Sequence, residues 1–321
     1  MKKYIFKNLF VLGLFFLGIV VWQIKTMVYA PGNLSQMIYV TVNKGSGSSE
    51  VAMSLKKAGV INNVWLFKLL ARSLRIDKTL KAGEYSFEPQ ISLYDTIQKL
   101  ANGEVVYRKI TIPEGLTSAQ IFQLINNEPL LSGEITVEAK EGELLPETYS
   151  FVTGDTRDSI ITQAKKAMRE TVIYTWQNRS DDIPLKNAND LLVLASIIEK
   201  ETAVDSERKL VASVFINRLK KGMRLQTDPT VIYAITQGKT ELTRALTRKD
   251  LKFDSPYNTY KYYGLPPSPI CNPGKASLEA AANPDASSYL YFVANGSGGH
   301  NFAKSLKEHN TNVSNWKKVK K

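Results

Sequence analysis

Asn189-Asp190-Leu191-Leu192-Val193-Leu194-Ala195-Ser196-Ile197-Ile198-Glu199-Lys200-Glu201-Thr202 decides how the second half of this 321-residue chain folds. Asn189 is expected to cap a helix whose apolar stripe is Leu191, Leu194, Ala195 and Ile198. A second run, Lys209–Lys221, repeats the helical spacing with Val211, Val214, Phe215 and Leu219, so two packed helices are predicted across residues 185–221. The first ends on two carboxylates. Residues two apart on a helix point about 200° apart, so Glu199 and Glu201 cannot share one bond, and one acid acting alone is the implied chemistry. Helical side chains lean toward the N-terminus, which lays Glu199 over the small Ala195 and Ser196 and Glu201 over Ile197 and Ile198. The small pair is expected to leave room for a ligand beside Glu199. A carboxyl in a partly apolar cleft keeps its proton near neutral pH and can donate it as a general acid. An isolated Glu-x-Glu is more often a solvated partner of nearby cations, here Lys200, Arg208 or Lys209, so the pair alone assigns nothing.

Downstream the chain turns rich in loops: Gln226-Thr227-Asp228-Pro229, Pro256-Tyr257-Asn258-Thr259-Tyr260, Gly264-Leu265-Pro266-Pro267 and Cys271-Asn272-Pro273-Gly274. Such loops cover a core or line a cleft. Gln226, Thr227, Asp228, Tyr257, Asn258 and Thr259 carry the amide, hydroxyl and aromatic groups that hold sugar rings, although the same residues stabilise turns, with Asp228-Pro229 read as a capped turn and Asn258 as bonding its own backbone. His300, after Gly298-Gly299, is either a substrate contact or a turn residue. Cys271 reads as a loop residue, and Trp316–Lys321 as a frayed basic tail.

Upstream, Ile38–Val42 alternates as a strand, Asn43–Gly47 is a turn, and Ser49–Ala58 a short amphipathic helix. The order recurs at Arg108–Ile112, Pro113-Glu114-Gly115 and Thr117–Asn126. Between the two lie helices at Asn63–Leu74 and Ser92–Asn102. The result is a small α+β module over residues 31–107, followed by a larger α+β domain over 108–321. Strand, glycine turn and helix across 38–107 resemble the LysM family of peptidoglycan-binding modules, a short and degenerate pattern.

At the amino terminus an unbroken apolar run, Leu9–Trp22, follows Lys2, Lys3 and Lys7. A signal peptide opens in the same way, but Pro31 after Val28-Tyr29-Ala30 is a poor cleavage site. Extended to Tyr4–Ile24, the segment reaches the length that crosses a bilayer, and residues 1–30 are read as a cytoplasmic N-terminus with an uncleaved single-pass anchor. The positive-inside rule then puts the remainder outside the inner (cytoplasmic) membrane. The whole chain carries 42 Lys+Arg against 30 Asp+Glu, a formal +12. Four of those lysines lie in residues 1–30, which hold no acid, so the exported part keeps a formal +8. Outside the cell the acidic partner is an anionic lipid surface or wall polymer rather than nucleic acid. One cysteine and two histidines leave no disulfide within the chain and too few ligands for a Cys/His zinc cage, so no metal or cofactor is expected.

Ile197–Thr202, Val214-Phe215-Ile216-Asn217-Arg218-Leu219, Met223–Val231, Tyr257–Tyr260, Gly264–Pro267 and Tyr289–Ala294 ending in Gly298-Gly299-His300-Asn301-Phe302 together resemble the YceG-like family of endolytic murein transglycosylases. The resemblance runs nearly the whole chain and includes Gly142–Tyr149. It implies a membrane-anchored enzyme that cuts the MurNAc–GlcNAc β-1,4 bond within peptidoglycan glycan strands and leaves a 1,6-anhydro end without consuming water. It also implies Glu199 as the catalytic acid and base, Glu201 as a supporting residue, no cofactor, and peptidoglycan synthases as candidate partners. Two other readings stay open at this point. A catalytically silent wall-binding scaffold would bind glycan without changing strand lengths, and a pyridoxal-phosphate lyase would show its cofactor in an absorbance spectrum.

Overall fold

The computed structural model describes residues 2–76 and 80–319. Helix α1, Lys2–Tyr29, is a single apolar rod. Its segment Phe6–Tyr29 is long and apolar enough to cross a membrane, a property it shares with signal sequences, and its most apolar 18-residue stretch is not buried against protein. The chain divides into two compact units, Met1–Arg108 with Ser150–Asp155, and Lys109–Tyr149 with Thr156–Lys321. The return of residues 150–155 to the first unit has no signature in the sequence.

In the first unit, β1 (Ile38–Val42) is followed by α2 (Ser48–Lys57), α3 (Val64–Ser73), β2 (Gly83–Phe87) and α4 (Leu93–Asn102). β1 and β2 pair antiparallel from Ile38↔Phe87 to Val42↔Gly83. The period-2 alternation puts Val40, Val42, Tyr85 and Phe87 on the face that joins Leu55, Phe67, Ile97 and Leu100 in one core. Asn63 and Ser92 cap α3 and α4 by accepting from the Leu66 and Asp95 amides. α4 stops at Gly103, whose φ of 65° is the left-handed conformation that a helix end favours. The last turn of α1 also belongs to this unit, with Val28 buried and the Tyr29 ring 4.9 Å from that of Tyr94.

The second unit contains α5 (Ser118–Asn126), α6 (Arg157–Gln177), α7 (Ala188–Glu201), α8 (Asp205–Lys220), α9 (Asp228–Thr236) and α10 (Lys275–Ala282). A hairpin of β5 (Tyr291–Ala294) and β6 (His300–Ala303) precedes α11 (Leu306–Val319). Strands β3 (Tyr107–Thr111) and β4 (Thr148–Val152) span the points where the chain passes between units. α7 is the centre of this unit. Leu191, Val193, Leu194, Ala195, Ser196, Ile197 and Ile198 are all buried, wider than the stripe expected, because α6, α8 and α10 pack around it. Each of its large aliphatic side chains contributes about 1.5–3 kcal/mol by leaving water. The facing Ala280, Ala281 and Ala282 let α10 approach closely.

Three local expectations are corrected. Asn187, not Asn189, caps α7, its side chain accepting from the Asp190 amide at 2.9 Å. Asp228-Pro229 opens helix α9 instead of closing a turn, since proline is pre-set for a first helical turn. Trp316–Val319 continue α11 instead of fraying, while the final two lysines lie outside the described residues.

Candidate active site

The last turn of α7 carries Glu199 out of the core, and what meets it is a loop from far along the chain. Ser196, fully buried one turn earlier, accepts from the Ile270 amide at 3.1 Å, and the Cys271 thiol donates to its carbonyl. The space over Ala195 and Ser196 is therefore taken by Ile270 and Cys271, and the cavity that Glu199 lines is built by other residues. The same docking sets Gly274, whose N–H donates to Glu199 Oε2 at 2.8 Å. Among the described residues this is the one hydrogen bond of the Glu199 carboxyl, and Glu199 also lines a cavity.

Asn272 fixes a third segment. Its carbonyl accepts from Gly115, its amide donates to the Leu116 carbonyl, and its buried side chain bonds Leu116, Ser118 and the Leu144 amide. This clamps Glu114 in place, a residue that sequence reading treated as part of a turn. Gly274 is the point of contact: a Cβ there would lie 1.7 Å from Glu114 Oε1, so only glycine fits beneath that carboxyl as it stands. Glu114, Gly115, Glu199, Lys200, Glu201, Thr202, Asp205 and Arg208 line a cavity of about 410 Å³. Burial, and then the charge of Glu199, push the Glu114 carboxyl above the usual range, opposed by Arg208. Arg208 is itself buried; it pairs with Asp205 through Nη1, and its Nε has no hydrogen-bond partner among the described residues.

Glu201 lines this cavity together with Glu199, despite the 200° offset, and lines a second one of about 450 Å³ as well. There it accepts from the Thr227 hydroxyl. Burial raises its pKa, and the Thr227 bond opposes the rise. The second cavity gathers Gln226, Thr227 and Asp228 with Arg218, Tyr260 and Tyr291. Gln226 and Asp228 are exposed, Asp228 accepting from the Tyr260 hydroxyl at 2.6 Å. Gln226 sits at φ 47°, held by its amide bond to the Thr259 carbonyl.

The other residues singled out in the sequence stand behind that wall. Asn258 is fully buried and donates to the Leu251 and Phe253 carbonyls while accepting from the Tyr260 amide, so its side chain builds the turn. Thr259 is buried, its hydroxyl accepting from the Thr227 amide and bonding Thr230. The Tyr257 hydroxyl is 2.5 Å from that of Ser268, and its ring packs on Tyr233. His300 is held by Glu207, 2.7 Å from Nδ1, on the hairpin. Cys271 is fully buried, and burial pushes its thiol well up, the opposite of a nucleophile's environment. Among the described residues no group of three or more His, Cys, Asp or Glu could hold a metal ion.

The sequence profile of the YceG-like family matches residues 40–315. The chain belongs to the YceG-like family. A relative from Bacillus subtilis (strain 168), named endolytic murein transglycosylase, is 35% identical over 304 residues, covering 85% of this chain and 83% of its own length. One of the same name from Streptococcus pneumoniae (strain ATCC BAA-255 / R6) is 30% identical over 342 residues, covering 91% of this chain and 60% of its own length. The crystal structure of a yceG-like protein from Listeria monocytogenes is similar at a TM-score of 0.52 and 35% identity, over 86% of this chain and 98% of that one. Family membership thus extends over both units, and the cavity holding Glu199 lies inside the matched region.

Proposed function

We propose that this chain is an endolytic murein transglycosylase that cuts the MurNAc–GlcNAc bond within glycan strands, with Glu199 as its acid and base. The observation that carries the proposal is a carboxyl anchored through one oxygen, by the Gly274 amide, on a residue that lines an open cavity. One acid suffices because its duties come in sequence. Glu199 gives its proton to the departing O4 as the C1–O4 bond breaks, and then takes the proton of the muramyl C6 hydroxyl as that oxygen closes on C1. A glycosidase working through water would need a second carboxylate as base or nucleophile across the bond. The relatives' shared name, endolytic murein transglycosylase, supports the reading.

Gln226 and Asp228, exposed at the second cavity, are the proposed sugar contacts, with Thr227 fixing Glu201 between the two cavities. Asn258, Thr259, Tyr257 and His300 act in this account by holding the walls. Helix α1 is proposed as a single-pass anchor in the inner membrane with a cytoplasmic N-terminus, supported by Lys2, Lys3 and Lys7 before the apolar span. The β-α-α-β order of β1, α2, α3 and β2 supports a LysM-like, glycan-binding first unit. Synthases that extend the strand share that membrane face and are the proposed partners. The test is digestion of purified glycan strands followed by muropeptide analysis. The proposal requires 1,6-anhydro ends, and reducing ends in their place would refute it.

A further inference from the structure

Two carboxyl groups converge on one glycine. The Gly274 N–H binds Glu199 at 2.8 Å, and a Cβ on the same residue would sit 1.7 Å from Glu114 Oε1. Those distances place the two carboxyls within about 7 Å of each other, lining one cavity. We propose that Glu114 is a positioning residue for the acid–base cycle of Glu199, supplying a fixed negative charge beside it while touching neither the leaving oxygen nor the C6 hydroxyl. The proposal rests on the reading of Glu199 given above.

The chemistry explains why a lone acid benefits from such a neighbour. Glu199 must keep its proton until O4 departs with the C1–O4 electron pair, and must then be basic enough to take a proton from an alcohol. Two carboxyls this close titrate as a pair and resist holding two negative charges together. The proton on Glu199 relieves that repulsion. Once it has gone to O4, the doubly charged pair faces a positively charged, oxocarbenium-like sugar. The C6 oxygen then bonds C1, its proton returns to Glu199, and Glu114 gains and loses nothing.

Burial, and then the charge of Glu199, push the Glu114 carboxyl up, a mark of how near the two groups lie. The other charges acting on Glu114 are Arg208 and Asp205 from α8 and Glu147 from the segment before β4, and Lys200, whose Nζ donates to the Gly115 carbonyl at 3.3 Å, lines the same cavity. Glu147 is itself paired with Lys275 at 2.8 Å. Among the described residues Glu114 has no hydrogen-bond or ion-pair partner. Its placement is spent on no structural bond, which is the pattern of a group kept for its charge.

The test uses the purified full-length chain in detergent, with glycan strands as substrate and three readouts: product ends, the pH profile of kcat/KM, and the melting temperature. Glu114→Gln is expected to keep producing anhydro ends, to lose about 10-fold in kcat/KM near neutral pH, and to move the alkaline limb of the profile down by about half to one pH unit. Glu114→Asp, which keeps the charge, is expected to hold the limb near its original position. A limb that stays in place in Glu114→Gln, or an equal loss in both variants without any shift, overturns the proposal. Wild-type protein that yields no anhydro ends instead overturns the functional reading, and this proposal with it.

Discussion

Gly274→Ala is the sharpest probe of the site because the backbone itself would accept it. Gly274 has φ −76° and ψ 170°, ordinary values for alanine, so any effect comes from the new methyl and not from strain. That methyl would stand 1.7 Å from Glu114 Oε1 and 2.2 Å from its Cδ. Two relaxations are open. If Glu114 swings out, the charge beside Glu199 is lost; if Gly274 retreats, it must move by more than 1 Å, and its 2.8 Å bond to Glu199 breaks. A hydrogen bond to a charged group contributes about 1.5–3 kcal/mol, so the second route predicts a fall of about 10- to 150-fold in kcat. The first predicts the smaller loss and the pH shift of Glu114→Gln. Gly274 is buried at the start of α10, so the second route also lowers the melting temperature by a few degrees, whereas the first leaves it nearly unchanged. The assay is kcat on defined glycan strands beside a thermal melt, and activity within twofold of wild type would refute the clamped arrangement of Glu114, Gly274 and Glu199.

Asn272→Ala removes a buried side chain that joins Leu116, Ser118 and Leu144, and leaves the Leu144 amide without its acceptor. A cost of about 2–3 kcal/mol is expected, read as a lower urea midpoint together with lost activity as the Glu114 segment loosens. Glu201→Gln tests burial of the second acid. Its native pKa is raised above the ordinary 4.5, so between that value and the native one the folded state binds more protons than the unfolded, and stability falls as pH rises. Urea midpoints measured upward from pH 4 should therefore decline less in Glu201→Gln than in wild type; parallel curves would contradict the assignment.

Much of the arrangement could be read from residue order, and the reasons differ by element. The apolar helix α1 and the helix α7 are legible because their signals are local: an apolar run of bilayer length, and a helical period in the apolar residues before Glu199. The identity of the cap was not, because Asn187 and Asn189 are chemically equivalent and only the start of the helix separates them. What covers Ala195 and Ser196 is not legible, since small residues invite any neighbour, and the segment that docks there, Ile270–Gly274, lies some 75 positions away. Glu114 was hidden for the same reason. A Pro-Glu-Gly turn has no periodicity, and its meaning arises from contact with a glycine 160 residues downstream. Asn258 and Thr259 show the converse, polar loop residues whose groups are consumed by the loop itself.

The measurement that bears most directly on the account is a comparison of wild type with Glu199→Gln on uncrosslinked glycan strands, with products resolved by mass spectrometry. The amide is isosteric and can still accept from the Gly274 N–H, so the fold and the anchoring bond are retained while the transferable proton is lost. The account predicts internal cleavage with anhydro ends from the wild type and a loss of at least about 1,000-fold in the variant at unchanged melting temperature. Anhydro ends produced at a comparable rate by Glu199→Gln would contradict it.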